Sequence, residues 1–480
     1  MTKQHRRLGR MRRGQAIIWL LATLAASAGV LYALFNVSQI TVGKQRAVNA
    51  ADASALAGAT AQARLLNLMA YTNRGMVANE VFLIQMLSTE SWLQYIEKTA
   101  GNFGTVLDIV GLIPPLAPFA KPAGKILDKV SDIAGKARDT LKDKVIPPMI
   151  TVLELAKTTL KLTQGAIHLG GGLLAEDAAK SIVAANRSNF GGRQDAGLAI
   201  ADTGAVRAAT FLLNEKNWLE FTKLYDKNER TDGRNILLAS RDNFSASRPG
   251  RGWLNFSVLV AGLEKHGGSD LKGFDRWETQ DTLETWAKVP CKAGFCKEYV
   301  PVGWGRSNAD KSGTAGSTWA PNRTAQQLAK NDGGKHKDWT GVPALYDIKD
   351  KTVAARDKLG LDFIVAVARP GANDFSTEGL GMGAQLVSRL GSPHMPRRQE
   401  AGQNTAFGKA RVFFERPRRG LTNDFTATSL WRPDSAKEYG SLYSPYWQAR
   451  LRDLTAGEKV GLIAAMGLTP DKAIYTPGGQ

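Results

Sequence analysis

The hydrophobic pattern begins with one uninterrupted apolar stretch near the N-terminus. Residues 16–35, AIIWLLATLAASAGVLYALF, hold no charged side chain, and Trp19 and Tyr32 stand near the two ends. At about 1.5 Å rise per residue, such a stretch matches the roughly 30 Å hydrocarbon core of a bilayer when it is helical. Aromatic rings with a polar edge favour the headgroup region. The pattern predicts one transmembrane helix over residues 15–35.

A helical pattern continues beyond this stretch. Residues 36–98 contain no proline and are dense in alanine, so one long helix or two nearly continuous helices are predicted. Prolines 114, 115, 118 and 122 end this region, because proline lacks the amide hydrogen and clashes with the preceding turn. Amphipathic helices are then predicted over 123–144, 148–168, 173–189 and 199–225, with a break at Pro147 and glycine stops at 170–172 and 191–192.

The pattern changes near residue 226, where glycine, serine, asparagine and proline become frequent and the predicted elements become short. LDFIVAVA (361–368) and ARVFFE (410–415) are rich in β-branched and aromatic residues and predict strands. A long loop is predicted over 303–338. The fold class is therefore α+β. The predicted organisation is a basic tail (1–14), a transmembrane helix (15–35), a helical stalk or bundle (36–225) and an extracytoplasmic α+β domain (226–480).

Charge sets the predicted direction of the span. Six basic side chains and no acid precede it, namely Lys3, Arg6, Arg7, Arg10, Arg12 and Arg13. The positive-inside rule then keeps the N-terminus cytoplasmic, so a single-pass inner-membrane protein with a periplasmic or extracellular bulk is predicted. The formal charge of +19 less these six leaves +13, spread in short clusters. This suits weak attraction to anionic partners such as a surface polymer, the membrane surface or an acidic subunit, and nucleic-acid binding is not predicted.

A cleaved secretory signal remains an alternative. Ala26-Ser27-Ala28 fits the small-x-small pattern that precedes a signal-peptidase site, which would put the cut between Ala28 and Gly29. Apolar character continues for seven residues past that point, which favours an uncleaved anchor.

The only two cysteines are Cys291 and Cys296, in PCKAGFCKEY. The predicted anchor places them in an oxidising compartment, where a structural disulfide is the expected state. The spacing differs from the redox CxxC motif, and no second Cys/His pair lies nearby in sequence to complete a zinc site.

Motifs for catalysis, metals or cofactors are weak. The five histidines, 5, 168, 266, 336 and 394, form no HxH or HExxH pattern. Residues 379–384 (GLGMGA) fit a variant of the dinucleotide fingerprint without the strand that should precede it, and Gly124-Lys125 lacks the Ser or Thr of a P-loop. Residues 242–247 (DNFSAS) only loosely match a DxSxS metal site. The prediction is therefore no enzyme, no cofactor and no metal.

Two further groups of side chains have a plain and a functional interpretation. Asp281 and Glu284 have the spacing of a solvated helix surface, and acid/base chemistry is not expected from them. Trp304, Trp319 and Trp339 lie in stretches predicted as loops, where rings more often close over a core than stack on sugars.

One combination of motifs carries a family resemblance. Arg13-Gly14-Gln15-Ala16 opens the apolar helix, and RAVNAADASALAGA follows at residues 46–59. Together they resemble the N-terminus of TadE/TadG-like proteins of the tight-adherence (Flp) pilus, over about residues 13–98. NRGMVANE (73–80) and LYSPYWQARL (442–451) also resemble segments of long TadG-related proteins. The motif residues are Arg13, Gly14, Gln15, Asn49, Ala50, Ala51 and Asp52.

The resemblance implies a membrane-anchored, non-catalytic part in Tad/Flp pilus assembly, as a minor pilin-like protein or an assembly factor. The implied partners are other Tad or pilin-like subunits, bound through the N-terminal helix. The alternative is a pilus-associated adhesin with a ligand-binding C-terminal head. The small residues at 50–59 pack either within the chain or in a bundle of many copies. A cut after Gly14 would put Trp19 at the fifth mature position, where prepilin peptidases usually want Glu, which favours a permanent anchor.

Overall fold

The computed structural model of the protein describes residues 5–110, 112, 114, 117–186, 199–200, 204–226, 229, 231–258, 260–291, 294–311, 322–352, 359–370, 403–416 and 438–465. Long helices make up the N-terminal part of these ranges, and sheets with short helices follow. The predicted α+β class is confirmed.

One helix, α1 (His5–Val110), contains both the apolar stretch and the alanine-rich segment. Its 106 residues correspond to a length of about 160 Å. No proline interrupts it, and alanine and leucine, both strong helix formers, recur along it. Of the two alternatives that the sequence left open, the structure has the single helix.

The chain then returns along α1 as a second long helical segment. Helix α2 (Ala117–Asp139) passes through a π-helical segment (Thr140–Val145) into α3 (Ile146–Asn186). The segment is antiparallel to α1, since Ser131 donates to the Glu97 carbonyl and Gln164 to the side-chain oxygen of Asn73. The predicted break at Pro147 is wrong, because the helical path continues through this residue into α3. In a regular helix the proline ring would clash with a carbonyl of the preceding turn, and the wider turn of the π-helical segment relieves this clash.

Glycines explain two other departures from the predicted helices. Gly171 and Gly172 lie inside α3, where Trp218 and Glu215 of helix α4 (Gly204–Phe221) pack directly on their backbone. They allow this close contact. The sequence had predicted that they end the helix, and that prediction is wrong. In α2, Gly124 packs against α1 beside the carbonyl of Gly104.

The larger sheet has five strands in the order β3-β4-β5-β6-β7. Strands β3 (Asn255–Ser257), β4 (Ala261–Lys272), β5 (Arg276–Cys291) and β6 (Gly294–Asp310) are antiparallel neighbours. Helix α7 (Arg323–Asp332) leads to β7 (Gly334–His336), which pairs in parallel with β6. The loop predicted over 303–338 is wrong for these described parts, which form a strand, a helix and a strand.

The second sheet has the order β1-β9-β10-β11 and is antiparallel. Its strands are β1 (Ala199–Ile200), β9 (Gly360–Pro370), β10 (Gln403–Phe414) and β11 (Trp447–Leu451). The predicted strands at 361–368 and 410–415 are confirmed as parts of β9 and β10, with Phe414 as the last residue of β10. A two-stranded sheet pairs β2 (Thr222–Tyr225) with β8 (Leu345–Ile348). The remaining helices are α5 (Thr231–Ala239), α6 (Asn243–Ala246) and α8 (Ala456–Ala465).

Both large sheets pack on α1, at different heights. The largest buried cluster joins alanines 47–63 of α1 to Phe363, Val365 and Val367 of β9 and to β10. A second cluster joins Leu83, Ile84 and Leu87 of α1 to Ile146, Trp277 and Trp339. The long helix thus forms the common core element of the described structure.

Candidate functional site: the long helix and its surfaces

The apolar stretch of α1 is free of contacts with the rest of the described protein. Residues Ala16–Phe35 form the one described segment that is long and apolar enough to cross a membrane, and none of it is buried. Its two hydroxyls bond within the helix: Thr23 donates to the carbonyls of Trp19 and Leu20, and Ser27 to that of Thr23. The segment is therefore suited to lipid, as an anchor or as a signal sequence.

The alanine-rich segment of α1 is covered by the chain's own second sheet. Ala50, Ala51, Ala55 and Ala59 are fully buried. The ring of Phe363 lies on the backbone of Gly58, and the backbone of Gly408 in β10 lies on that of Ala51, so no side chain fits at either glycine without displacement. The small residues therefore pack within the chain, which was one of the two alternatives.

The motif residues divide by position. Ala50 and Ala51 are in this contact. Asn49 is exposed and accepts a hydrogen bond from Gln45 at 2.9 Å. Asp52 is half-buried, and burial, helped by nearby Asp453, raises its pKa. Arg13, Gly14 and Gln15 are in α1, but their side chains lie outside the described set.

Amide side chains of α1 bind backbone groups that are distant in sequence. Asn67 donates to the carbonyl of Trp447 at 3.0 Å and accepts from its amide at 2.9 Å. Asn73 donates to the carbonyls of Tyr346 and Leu442, at 2.8 and 2.7 Å. The two segments 73–80 and 442–451, singled out separately in the sequence, therefore touch each other.

Farther along α1, a row of polar side chains is buried beneath the larger sheet. Glu80 accepts hydrogen bonds from the indoles of Trp277 (3.0 Å) and Trp339 (3.3 Å), and the Lys157 ammonium is 4.0 Å away. Burial raises the pKa of Glu80 to about 7, against the opposing effects of Lys157 and the two indoles. A carboxyl group that stays partly protonated near neutral pH is thus built into the core.

Glu90 and Ser91, the next groups of this row, bond side chains of the larger sheet, including one of β7. Glu90 accepts from Ser307 and contacts the His336 ring, both at 2.7 Å. Asp281 is held by Arg248, Lys265 and Ser91 at 2.9–3.0 Å. The bonds made by Glu90 and Ser91 join α1 to the sheet, whereas Arg248 and Lys265 hold Asp281 from the side of the sheet itself.

The candidates for chemistry take structural places. Asp281 and Glu284 lie on a strand and are buried, so the prediction of a solvated helix surface is wrong for them. Asp242 accepts from the Ser245 amide as the N-cap of α6. His168 bonds Thr222, and Trp339 is buried. Residues 379–384, Trp319 and His394 lie outside the described residues. Within those described, no group of three His, Cys, Asp or Glu side chains is placed to hold a metal.

The end of the β5–β6 hairpin projects from the sheet and is joined by the two cysteines. A disulfide links Cys291 and Cys296, with their Cα atoms 5.8 Å apart. Phe295, beside it, is 74% exposed, and Tyr299 and Val300 are exposed as well. This tip presents rings and aliphatic groups to solvent.

These features define a class: a protein with one candidate membrane span whose helix continues into an alanine-rich segment packed under an α+β unit. Residues 14–61 match the family model described as putative Flp pilus-assembly TadE/G-like. No curated protein matches the chain. No solved structure matches it either.

The sequence indicated the family segment and the span, but it missed the polar row and the amide contacts. A signal was present. Between Asn73 and Gln94, α1 carries Glu, Ser and Gln among its leucines, which spoils a clean apolar face. Their partners are distant in sequence, 273 residues for Asn73 and Tyr346, so the pairs could not be assigned.

Proposed function

We propose that the protein is a membrane-anchored, non-catalytic component of Tad/Flp pilus assembly, and that it works as an assembly factor in the inner membrane. The TadE/G-like domain at 14–61 supports association with the pilus machinery. In this proposal residues 15–35 span the inner membrane, the basic tail is cytoplasmic, and the part beyond residue 35 is periplasmic.

The observation that carries the role is the burial of the alanine-rich segment. A pilin-like subunit that packed through residues 50–59 would need that surface free, yet β9 and β10 of the same chain cover it. This favours an assembly factor over a filament subunit that packs through this segment. Contact with other Tad subunits is then assigned to the apolar stretch, residues 16–35, which is free of contacts in the described structure.

Deletion of the gene tests the proposal. Pili should be lost or shortened, and the protein should fractionate with the inner membrane and be absent from sheared filaments. A strain complemented with a Gly58→Leu variant, which disturbs the packing on Phe363, should resemble the deletion if the variant reaches the membrane in normal amount. Normal pili in the deletion strain would overturn the proposal.

N-terminal sequencing of the mature protein separates the three possible starts. An uncleaved anchor gives Met1, prepilin-type processing gives Gln15, and signal-peptidase cleavage gives Gly29. The proposal expects Met1; a start at Gly29 with soluble protein would remove the anchor from it.

A second candidate function is a pilus-associated adhesin. The observation that favours it is the exposed apolar tip of the β5–β6 hairpin, with Phe295 beside the disulfide. An adhesin predicts normal pilus number with lost attachment, and a Phe295→Ala variant of the full chain with normal pili and weaker attachment to a surface polymer or glycan.

A further inference from the structure

Helix α3 carries a second apolar face on the side turned away from α1. The outer seam, as we name it, consists of residues spaced alternately three and four apart, namely Val152, Leu155, Thr159, Leu162, Ala166, Leu169 and Leu173. The side chains that α3 buries against α1 fall on its opposite side, among them Ile150, Lys157 and Gln164. Leu155, Leu162 and Leu169 are 69%, 70% and 68% exposed.

This spacing is the heptad repeat of helices that pair with one another. Leu155, Leu162 and Leu169 occupy one core position, and Val152, Thr159, Ala166 and Leu173 the other. A repeat of 3.5 residues keeps such a seam turned toward a partner helix along its whole length. A face that only met water would not need leucine at each seventh residue. Helix α2 also exposes apolar side chains, namely Ile126, Val130 and Ile133.

The positions that flank the seam carry no charge. They are Thr151, Ala156, Thr158, Thr163, Gly165 and Gly170. The hydroxyls of Thr158, Thr159 and Thr163 donate to carbonyls four residues back, at 2.8–2.9 Å. Gly165 and Gly170 have open space beside their backbone. An identical helix therefore meets no like charge, and nothing in these flanks selects a charged foreign partner.

The area is sufficient for a dimer of this chain. From Val152 to Leu173 the seam is about 32 Å long. A leucine-sized side chain offers roughly 60–120 Å² of apolar surface. The five aliphatic side chains and the intervening small groups then bury on the order of 1,000 Å² for two copies, the lower size of a specific interface.

We propose that the outer seam of α3 pairs with the same seam of a second copy, as a parallel two-helix contact. Leu155, Leu162 and Leu169 of one copy pack on their own counterparts. The parallel direction rests on the proposed function, because two copies anchored by α1 in one membrane have their α3 helices in the same direction. The self-association itself does not depend on the anchor.

Disulfide cross-linking of the full chain in the membrane tests the proposal. The chain has two cysteines, and both are in the Cys291–Cys296 disulfide. An intermolecular disulfide therefore has to form through an introduced cysteine. Leu155→Cys and Leu162→Cys, made separately, should each give a covalent homodimer upon mild oxidation. The matched control is Lys161→Cys, which is exposed but beside the seam, and it should give at least tenfold less dimer.

The other outcomes overturn either the self-association or its parallel direction. Absence of dimer for both Leu155→Cys and Leu162→Cys excludes the contact, and equal dimer for Lys161→Cys reports random collision. A cross-link to another protein assigns the seam to a foreign helix. Dimer between mixed Leu155→Cys and Leu169→Cys chains, with none from Leu155→Cys alone, shows an antiparallel pair, in which Leu162→Cys still meets its own counterpart. That last result leaves self-association intact and removes the anchored, parallel arrangement.

A second measurement avoids cysteine chemistry. In the double variant L155E/L162E both changed side chains are exposed in the single chain, so helix content by circular dichroism should be unchanged. Light scattering in detergent should give the mass of one chain for the variant and of two chains for the unmodified protein. A mass of one chain for both proteins contradicts the proposal.

Discussion

Asn67 binds both backbone polar groups of Trp447, 380 residues away in sequence. Trp447 begins β11, and its ring packs edge-to-face on Phe221 and Phe414 at centroid distances of 5.5 and 5.3 Å. The amide of Asn214 in α4 makes the same two bonds to Ile364 of β9. Paired donor and acceptor groups of one amide thus fix each helix against a strand of the second sheet.

Replacement of Asn67 by alanine should therefore destabilise the attachment of β11. Both backbone groups of Trp447 lose their partner, and a buried group left unsatisfied costs about 1–3 kcal/mol. We expect a lower denaturation midpoint in guanidinium and a shift in tryptophan fluorescence. Asn102→Ala is the matched control, because the Asn102 amide also binds a carbonyl, that of Val302, but in an exposed place. Equal losses for the two variants would contradict this role of Asn67.

Gly58→Ala should destabilise the protein although alanine is the better helix former. The added Cβ meets the ring of Phe363, and overpacking of a tight contact costs about 1–3 kcal/mol. Gly461→Ala in α8 is the same change with open space around it, and it should stabilise by about 0.5–1 kcal/mol. Thermal denaturation of the two variants should therefore shift in opposite directions. The additional change Phe363→Leu should partly restore the midpoint of Gly58→Ala; without such restoration the cause lies elsewhere.

The local residue pattern was sufficient to predict an element where the surroundings of that element are the same along most of its length. The apolar stretch and the prolineless run predicted α1, and β-branched runs predicted β9 and β10, whose residues face the core along most of their length. These segments need no knowledge of a distant partner.

The strands of the larger sheet were missed because their polar residues are buried. Glu278, Thr279, Asp281 and Glu284 of β5 break the alternation that predicts a half-exposed strand. Arg306 and Arg248 supply partners for Glu278 and Asp281, and Ser91 of α1 adds a bond to Asp281. Such pairing is a tertiary property. The same is true of Gly171 and Gly172, whose role depends on Trp218 and Glu215.

Loss of the Cys291–Cys296 disulfide should affect the hairpin tip and little else. Most of the described residues between Lys288 and Val300 are exposed, so the disulfide constrains the exposed end of the hairpin and not the core. In the C291S/C296S variant we expect a melting temperature close to that of the unmodified protein, with faster proteolysis at Lys288 and Lys297. When the unmodified protein is unfolded without a reducing agent, a thiol-reactive label should not react with it, because both cysteines are in the disulfide. Unchanged proteolysis of the variant would show that β-pairing alone orders the tip.

Protonation of Glu80 should make the stability depend on pH between about 4.5 and 7. Burial raises its pKa from 4.5 to about 7, so the folded state favours the neutral acid. The stabilisation by this proton is complete at pH values below the pKa of Glu80 in the unfolded state, and it is lost as the pH rises through the pKa in the folded state. The loss amounts to about 3 kcal/mol.

Glu80→Gln keeps a neutral group and removes the titration. As the pH rises from 4.5 to 7.5, the free energy of unfolding of the unmodified protein should therefore fall relative to that of Glu80→Gln. The matched control Glu298→Gln removes a carboxyl group from the exposed hairpin and should leave the profile as it was. If the unmodified protein and Glu80→Gln have parallel profiles, Glu80 is ionised in the fold and Lys157 with the two indoles outweighs its burial.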